Sequence, residues 1–174
     1  MNVNNNAEAQ DIQIRIRQLI NELPTAFVPK SMIEQLSKFP RTETLQTLKE
    51  ISNADDENLS DRAIRAILQI DIDFGKQVLL ELADNPSWHW YFAYSALEYG
   101  NSSFVMPLCS ILKESANSDA RYMATVALER IGNVTALEFL KQALDDPGED
   151  YEGRSISEQA ELAIVAITKR AQLA

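Results

Sequence analysis

A short pattern, Ala-x-x-Ala followed by Leu or Ile, constrains this chain more than any other feature. It occurs at Ala63-Ala66-Ile67, Ala93-Ala96-Leu97, Ala124-Ala127-Leu128 and Ala160-Ala163-Ile164, with starts 30, 31 and 36 residues apart. Two small side chains three apart share one face of a helix, and a branched apolar neighbour widens that face, so each copy specifies a helix that another helix can approach closely. Recurrence at an interval of about 30 residues is the mark of a repeat array.

Around each copy the sequence alternates between this helix and a second one. After Ser118-Asp119, which reads as an N-cap, Met123, Ala124, Ala127, Leu128 and Ile131 form one stripe. Gly132-Asn133 then ends the helix, read as residues that tolerate the left-handed conformation. A second helix carries Ala136, Leu137, Leu140, Ala143 and Leu144 inward. The preceding copy repeats the plan: Asn85 caps, Pro86 takes the first helical position, Gly100-Asn101 terminates, and Ser103 caps a helix with Pro107 in its first turn. Trp90–Glu98 and Arg121–Glu129 are identical at five of nine positions, which indicates divergent duplication.

The earlier copy runs from about Asn58 to Asp84, with Ala63, Ala66, Ile67 and Ile70 inward in one helix and Val78, Leu79 and Leu82 in the next. Thirty residues before it, Ile33 and Leu36 lie between Pro29 and Pro40, a degenerate copy followed by Leu45, Leu48 and Ile51. Terminal units of an array diverge in this way because one face lacks a neighbour. Ile12, Ile16, Leu19, Ile20 and Leu23 fit a helical stripe, although Ile12, Ile14 and Ile16 also alternate as in a strand. Ser155-Ile-Ser-Glu158 is a capping-box pattern opening a last helix, and the polar loop Asp145 to Gly153 accounts for the longer interval before it.

These readings predict an all-α chain forming a single domain over 1–174. Its parts are an N-terminal helix over 7–23, helical pairs over 30–54, 57–84, 86–116 and 118–146, and a final helix over 155–170. The scarcity of Gly and Pro, five and six in 174 residues, agrees with helix rather than with a turn-rich β fold.

Asp119, Arg121, Ala124, Ala127, Leu128, Ile131, Gly132 and Asn133 together resemble the HEAT-repeat family, in particular its bacterial branch of phycobilisome-lyase HEAT-like repeats. The likeness extends over roughly residues 30 to 170. Other copies depart from the pattern: Trp90 stands where Arg121 does, Asp71 where Gly132 does, and Ser157 where an Arg is expected. The resemblance implies an α-solenoid, an α-α superhelix of about four helical hairpins plus a terminal helix. Such arrays serve mostly as protein-binding scaffolds, and the family includes chromophore lyases and chaperones.

The formal charge of −10, from 26 acidic and 16 basic side chains, repels phosphate backbones and anionic lipid and favours encounter with a basic protein. Solubility alone also accounts for such a charge. The expected partner is a protein, a basic one if the charge serves encounter, and neither nucleic acid nor membrane. The single Cys109 excludes an internal disulfide, no signal-like segment follows Met1, and no apolar run reaches the roughly 20 residues of a membrane span. A cytoplasmic protein is expected.

Material for catalysis is sparse. His89 is the sole histidine, Cys109 sits among Pro107, Leu108, Ile111 and Leu112 as a core residue would, and there is no Gly-rich phosphate loop. Neither zinc-type ligand spacing nor an EF-hand pattern is present, and the acidic clusters Asp55-Asp56-Glu57 and Asp145–Glu152 read as solvated turns beside helix N-termini. No enzyme, cofactor or metal is expected.

The strongest local anomaly is Trp88-His89-Trp90-Tyr91-Phe92-Ala93-Tyr94. Alignment with the next copy puts Phe92 and Ala93 inward and Trp88 on the same side. Trp90, Tyr91 and Tyr94 fall at positions expected to face water, and Tyr122 of the neighbouring helix is expected to join them as a protein-binding group. The other reading is that loops or the N-terminal helix cover these rings and make them core. Three functions follow as expectations: a non-enzymatic scaffold using this group, an acidic immunity protein neutralising a basic toxin, or a lyase-like or chaperone-like factor for a chromophore protein.

Overall fold

A computed structural model describes residues 3–23, 27–54 and 56–173. Among them the chain is all-helical and has no strand; Glu149 and Ser155 form an isolated antiparallel bridge. It divides into two compact units, Met1–Val78 and Leu79–Ala174.

The first unit holds α1 (Val3–Asn21), α2 (Lys30–Leu36), α3 (Arg41–Ser52), α4 (Glu57–Ile70) and the start of α5 (Ile72–Leu82). In α1, Ile16 and Ile20 are fully buried while Ile14 is exposed, so the helical stripe prevails over the strand-like alternation. The helix begins at Val3, earlier than the expected residue 7. Asp56 of the first acidic cluster caps α4 by accepting the backbone N–H groups of Asn58 and Leu59 at 3.0 and 3.1 Å; Asp55 lies outside the described residues. Ala63, Ala66 and Ile67 are wholly buried, and α4 packs on α3.

Asp71 explains why this copy lacks the Gly-Asn stop. It ends α4 in an extended conformation, accepts the Phe74 N–H at 3.0 Å to start α5, and accepts Arg41 Nη2 at 2.8 Å. A residue that must both break and cap needs a side-chain acceptor rather than a hydrogen, and the ion pair with Arg41 uses a carboxylate. The Phe74 N–H and then the Arg41 guanidinium hold its carboxyl below the ordinary range.

The second unit contains α6 (His89–Tyr99), α7 (Val105–Glu114), α8 (Ser118–Ile131), α9 (Leu137–Gln142) and α10 (Ile156–Leu173). The Ala-x-x-Ala helices stack in chain order, α6 on α8 and α8 on α10, while α7 and α9 supply the second layer. All six alanines of the motif in these helices are fully buried. Phe92 and Phe104 stack at 5.1 Å between ring centroids, in the core between α6 and the turn before α7.

The helix ends differ from expectation in an informative way. Gly100 and Gly132 have φ of −64° and −62°, so neither adopts the left-handed conformation. Glycine is needed there for space: a methyl at Gly100 would come within 2.6 Å of Ile131 Cδ1, and one at Gly132 within 2.8 Å of Ile167 Cδ1. Each glycine admits the isoleucine that ends the next Ala-x-x-Ala stripe. The following asparagines start new turns: Asn101 accepts the Ser103 N–H at 2.9 Å, and Asn133 the Thr135 N–H at 3.0 Å. Asn101, rather than Ser103, thus initiates the chain segment containing Pro107. Likewise Asn117 caps α8 by accepting the Ala120 N–H at 3.2 Å, in place of Ser118-Asp119. Leu144, expected inward, is exposed because a short 3₁₀ turn over Ala143–Asp145 follows α9 and alters the periodicity.

This packing reverses a familiar sign. Gly→Ala at a compatible site stabilises by about 0.4–1 kcal/mol through the unfolded chain. Gly132→Ala should instead cost about 1–3 kcal/mol in urea unfolding, because the methyl overpacks against Ile167 and the Leu128 carbonyl. Unchanged or raised stability would show that the isoleucine moves aside freely.

Candidate functional site

The aromatic segment is positioned by its flanks. The Asn85 side chain accepts the Ser87 N–H at 3.1 Å and Pro86 opens a 3₁₀ turn over Pro86–Trp88, which sets the entry angle of α6. Inside α6 the period of 3.6 separates the aromatics into three groups. Phe92, with Ala93 and Ala96, is fully buried. Trp88 and Tyr91, both half-buried, meet edge to face at 5.4 Å. Trp90 and Tyr94, four residues apart, stack face to face at 5.3 Å with their planes 7° apart.

Of the α6 aromatics, this last pair is the exposed one: Trp90 is 37% exposed and Tyr94 46%. Glu98, one further turn along the same face, is also exposed. The surface is therefore two parallel rings followed by a carboxylate. The electron-rich ring faces attract cations, and stacked rings hold each other in place.

Tyr122 does not join them. It is 8% exposed, and the Arg154 guanidinium covers its ring at 4.7 Å from the centroid. Thr125, which aligns with Tyr94, is fully buried and donates its hydroxyl to the Tyr122 carbonyl at 2.6 Å. The cause lies in the acidic segment after α9, which is an ordered clasp against α8 rather than a solvated turn. Arg121 donates from Nε and Nη2 to the two oxygens of Asp146 at 2.7 and 3.1 Å, and from Nη1 to the Ser115 carbonyl at 2.9 Å. Asp119 accepts the Tyr151 N–H at 2.7 Å. Asp150, buried, accepts the N–H groups of Glu152 and Arg154 and the Arg154 guanidinium.

The electrostatics of the clasp follow from these contacts. Hydrogen bonding by Arg121, opposed by partial burial and aided by the Gly148 N–H, holds the Asp146 carboxyl below its usual range. Arg154 does the same for Asp150. These carboxylates are spent on the protein itself, and the sequence carries a signal for it: Asp146-Pro-Gly148 is an Asx-turn pattern, and Asp150 and Arg154 stand four apart.

The remaining sequence candidates for chemistry are structural in placement. Cys109 is fully buried in α7, and burial pushes its thiol up to about 11, so it is a neutral thiol at neutral pH. His89 is buried at the start of α6, and its Nδ1 has no hydrogen-bond partner among the described residues. No group of three or more His, Cys, Asp or Glu residues is placed to hold a metal among the described residues. No described helix is long and apolar enough to cross a membrane. Comparison with protein-family models and with curated proteins finds no match to this chain.

Proposed function

We infer that this chain is a HEAT-like α-solenoid module that binds a protein partner through the stacked Trp90–Tyr94 pair, and that the partner offers a cationic segment. The observation that carries the reading is the exposure of two large rings, stacked on each other and followed on the same face by Glu98. Rigid aromatic area at a protein surface is the usual material of an interface hot spot. The choice of a cationic partner rests on two features: the ring faces attract guanidinium or ammonium groups, and a net charge of −10 speeds their arrival. Neutralisation of a basic toxin is one biological form of the same chemistry, and an adjacent toxin gene would favour it. The HEAT-like assignment is supported by the stacking of successive Ala-x-x-Ala helices with glycine-admitted isoleucines at their ends.

Both rings are partly solvated, so their removal leaves the core intact. The Trp90→Ala/Tyr94→Ala double variant should keep its helical circular dichroism and lose partner affinity by about 30-fold or more, the equivalent of a single hot spot of about 2 kcal/mol. The measurement is quantitative affinity purification from the source cell with wild type and variant in parallel. Equal recovery of the same proteins by both would remove this surface from consideration.

A further inference from the structure

The final helix carries a second surface, distinct from Trp90 and Tyr94. Ile156, Gln159, Ala160, Ala163 and Ile167 of α10 are buried. At about 100° per residue, Glu158, Leu162, Val165 and Lys169 gather on the opposite side within about 60° of arc. All four are exposed, Leu162 at 56% and Val165 at 61%. Their spacing of four, three and four residues is that of a coiled-coil seam.

One position of this seam is where the next helix meets α8 in the repeat. The position 36 residues before Val165 is Glu129 of α8, and Glu129 is taken up by α10: its carboxylate accepts Gln159 Nε2 at 2.6 Å and its carbonyl accepts Arg170 Nη1 at 2.6 Å. At the equivalent position α10 bears the exposed Val165, with the exposed Leu162 beside it on the same face.

The geometry points to a second copy of this chain as the occupant, with the two α10 helices packed antiparallel about a two-fold axis. An axis at the level between Ala163 and Ile164 sets Leu162 against Val165 of the second copy and Glu158 against its Lys169. Symmetry makes each pair twice. Acid at one end of the seam and base at the other are complementary to themselves only in this sense, because parallel pairing would oppose like charges. The helix dipoles also run opposite. With one apolar layer on each side of the axis the interface is small, so the dimer is weak, with a dissociation constant on the order of 100 µM.

Sedimentation equilibrium of the full chain up to about 1 mM tests this. Wild type should show a monomer–dimer equilibrium, and Leu162→Glu should raise the dissociation constant about 10-fold or more. Glu158→Lys and Lys169→Glu alone should each weaken the dimer by about 10-fold, whereas the double exchange should return it to within about 3-fold of wild type. Circular dichroism verifies that each variant is folded, as expected for exposed positions. A wild type monomeric at every concentration, a dimer indifferent to Leu162→Glu, or a double exchange no better than the single ones overturns the proposal.

Discussion

Phe92→Ala should lower the free energy of unfolding by about 3–5 kcal/mol, the largest loss expected from any single substitution in α6. Phe92 is fully buried and stacked on Phe104, itself fully buried. Its removal therefore forfeits the transfer of a whole ring, the pairing with Phe104 and the space between them. The neighbours offer little relaxation, because Ala93 and Ala96 are already small and the helices beside them are closely placed. Phe92→Leu should recover more than half of the loss, since it restores most of the volume without the stacking. Urea unfolding followed by circular dichroism measures both. A cost below about 1 kcal/mol for alanine would show that this core collapses around the vacancy, against the close packing on which the positioning of Trp90 and Tyr94 depends.

Arg121→Ala should cost about 2–4 kcal/mol, more than any exposed ion pair in the chain. Its partner Asp146 would remain with its side chain only 16% exposed and uncompensated, and the Ser115 carbonyl would lose a donor. By contrast, the Arg15–Asp11 pair, with both side chains more than half exposed, should contribute well under 1 kcal/mol. The same clasp sets an acid limit. Asp146 and Asp150 are held below the ordinary carboxyl range in the folded chain by Arg121 and Arg154 respectively. A depressed folded pKa means that stabilisation is complete above about pH 4 and is lost as pH falls through the folded values. Wild type should therefore lose stability steeply on acidification below about pH 4, and Arg121→Ala should show a shallower slope, having already lost the Asp146 contribution. Identical slopes would mean that the pair does not hold Asp146 ionised.

The residues that read correctly in the sequence are those whose role is local. Asn85, the Ala-x-x-Ala pairs and the helical stripe of Ile16 and Ile20 depend on short-range periodicity and capping, and they stand as expected. Alignment with a neighbouring copy leaves the aromatic group either facing water or covered by another segment; Trp90 and Tyr94 are exposed and Tyr91 is half-buried. Misread features depend on what approaches from a distance. Gly132 ends its helix as anticipated, yet its hydrogen serves Ile167, 35 residues away. Tyr122 has the periodicity of a surface residue and is buried because Arg154 lies across it. The acidic segment after α9 carries the composition of a solvated loop, and only its pairing with Arg121 and Asp119 makes it a clasp. Composition states which charges are present, whereas their partners are fixed by the fold.

The most direct test of binding through Trp90 and Tyr94 is a ¹H–¹⁵N titration of the full chain with an arginine-rich peptide and, separately, a glutamate-rich one. The arginine peptide should shift the Trp90 indole resonance and the amides of Tyr94 and Glu98 in a saturable manner. Those shifts should vanish in Trp90→Ala/Tyr94→Ala, and the glutamate peptide should produce none. Shifts spread over the acidic surface and unchanged in the double variant, or no shifts near Trp90, would contradict the account.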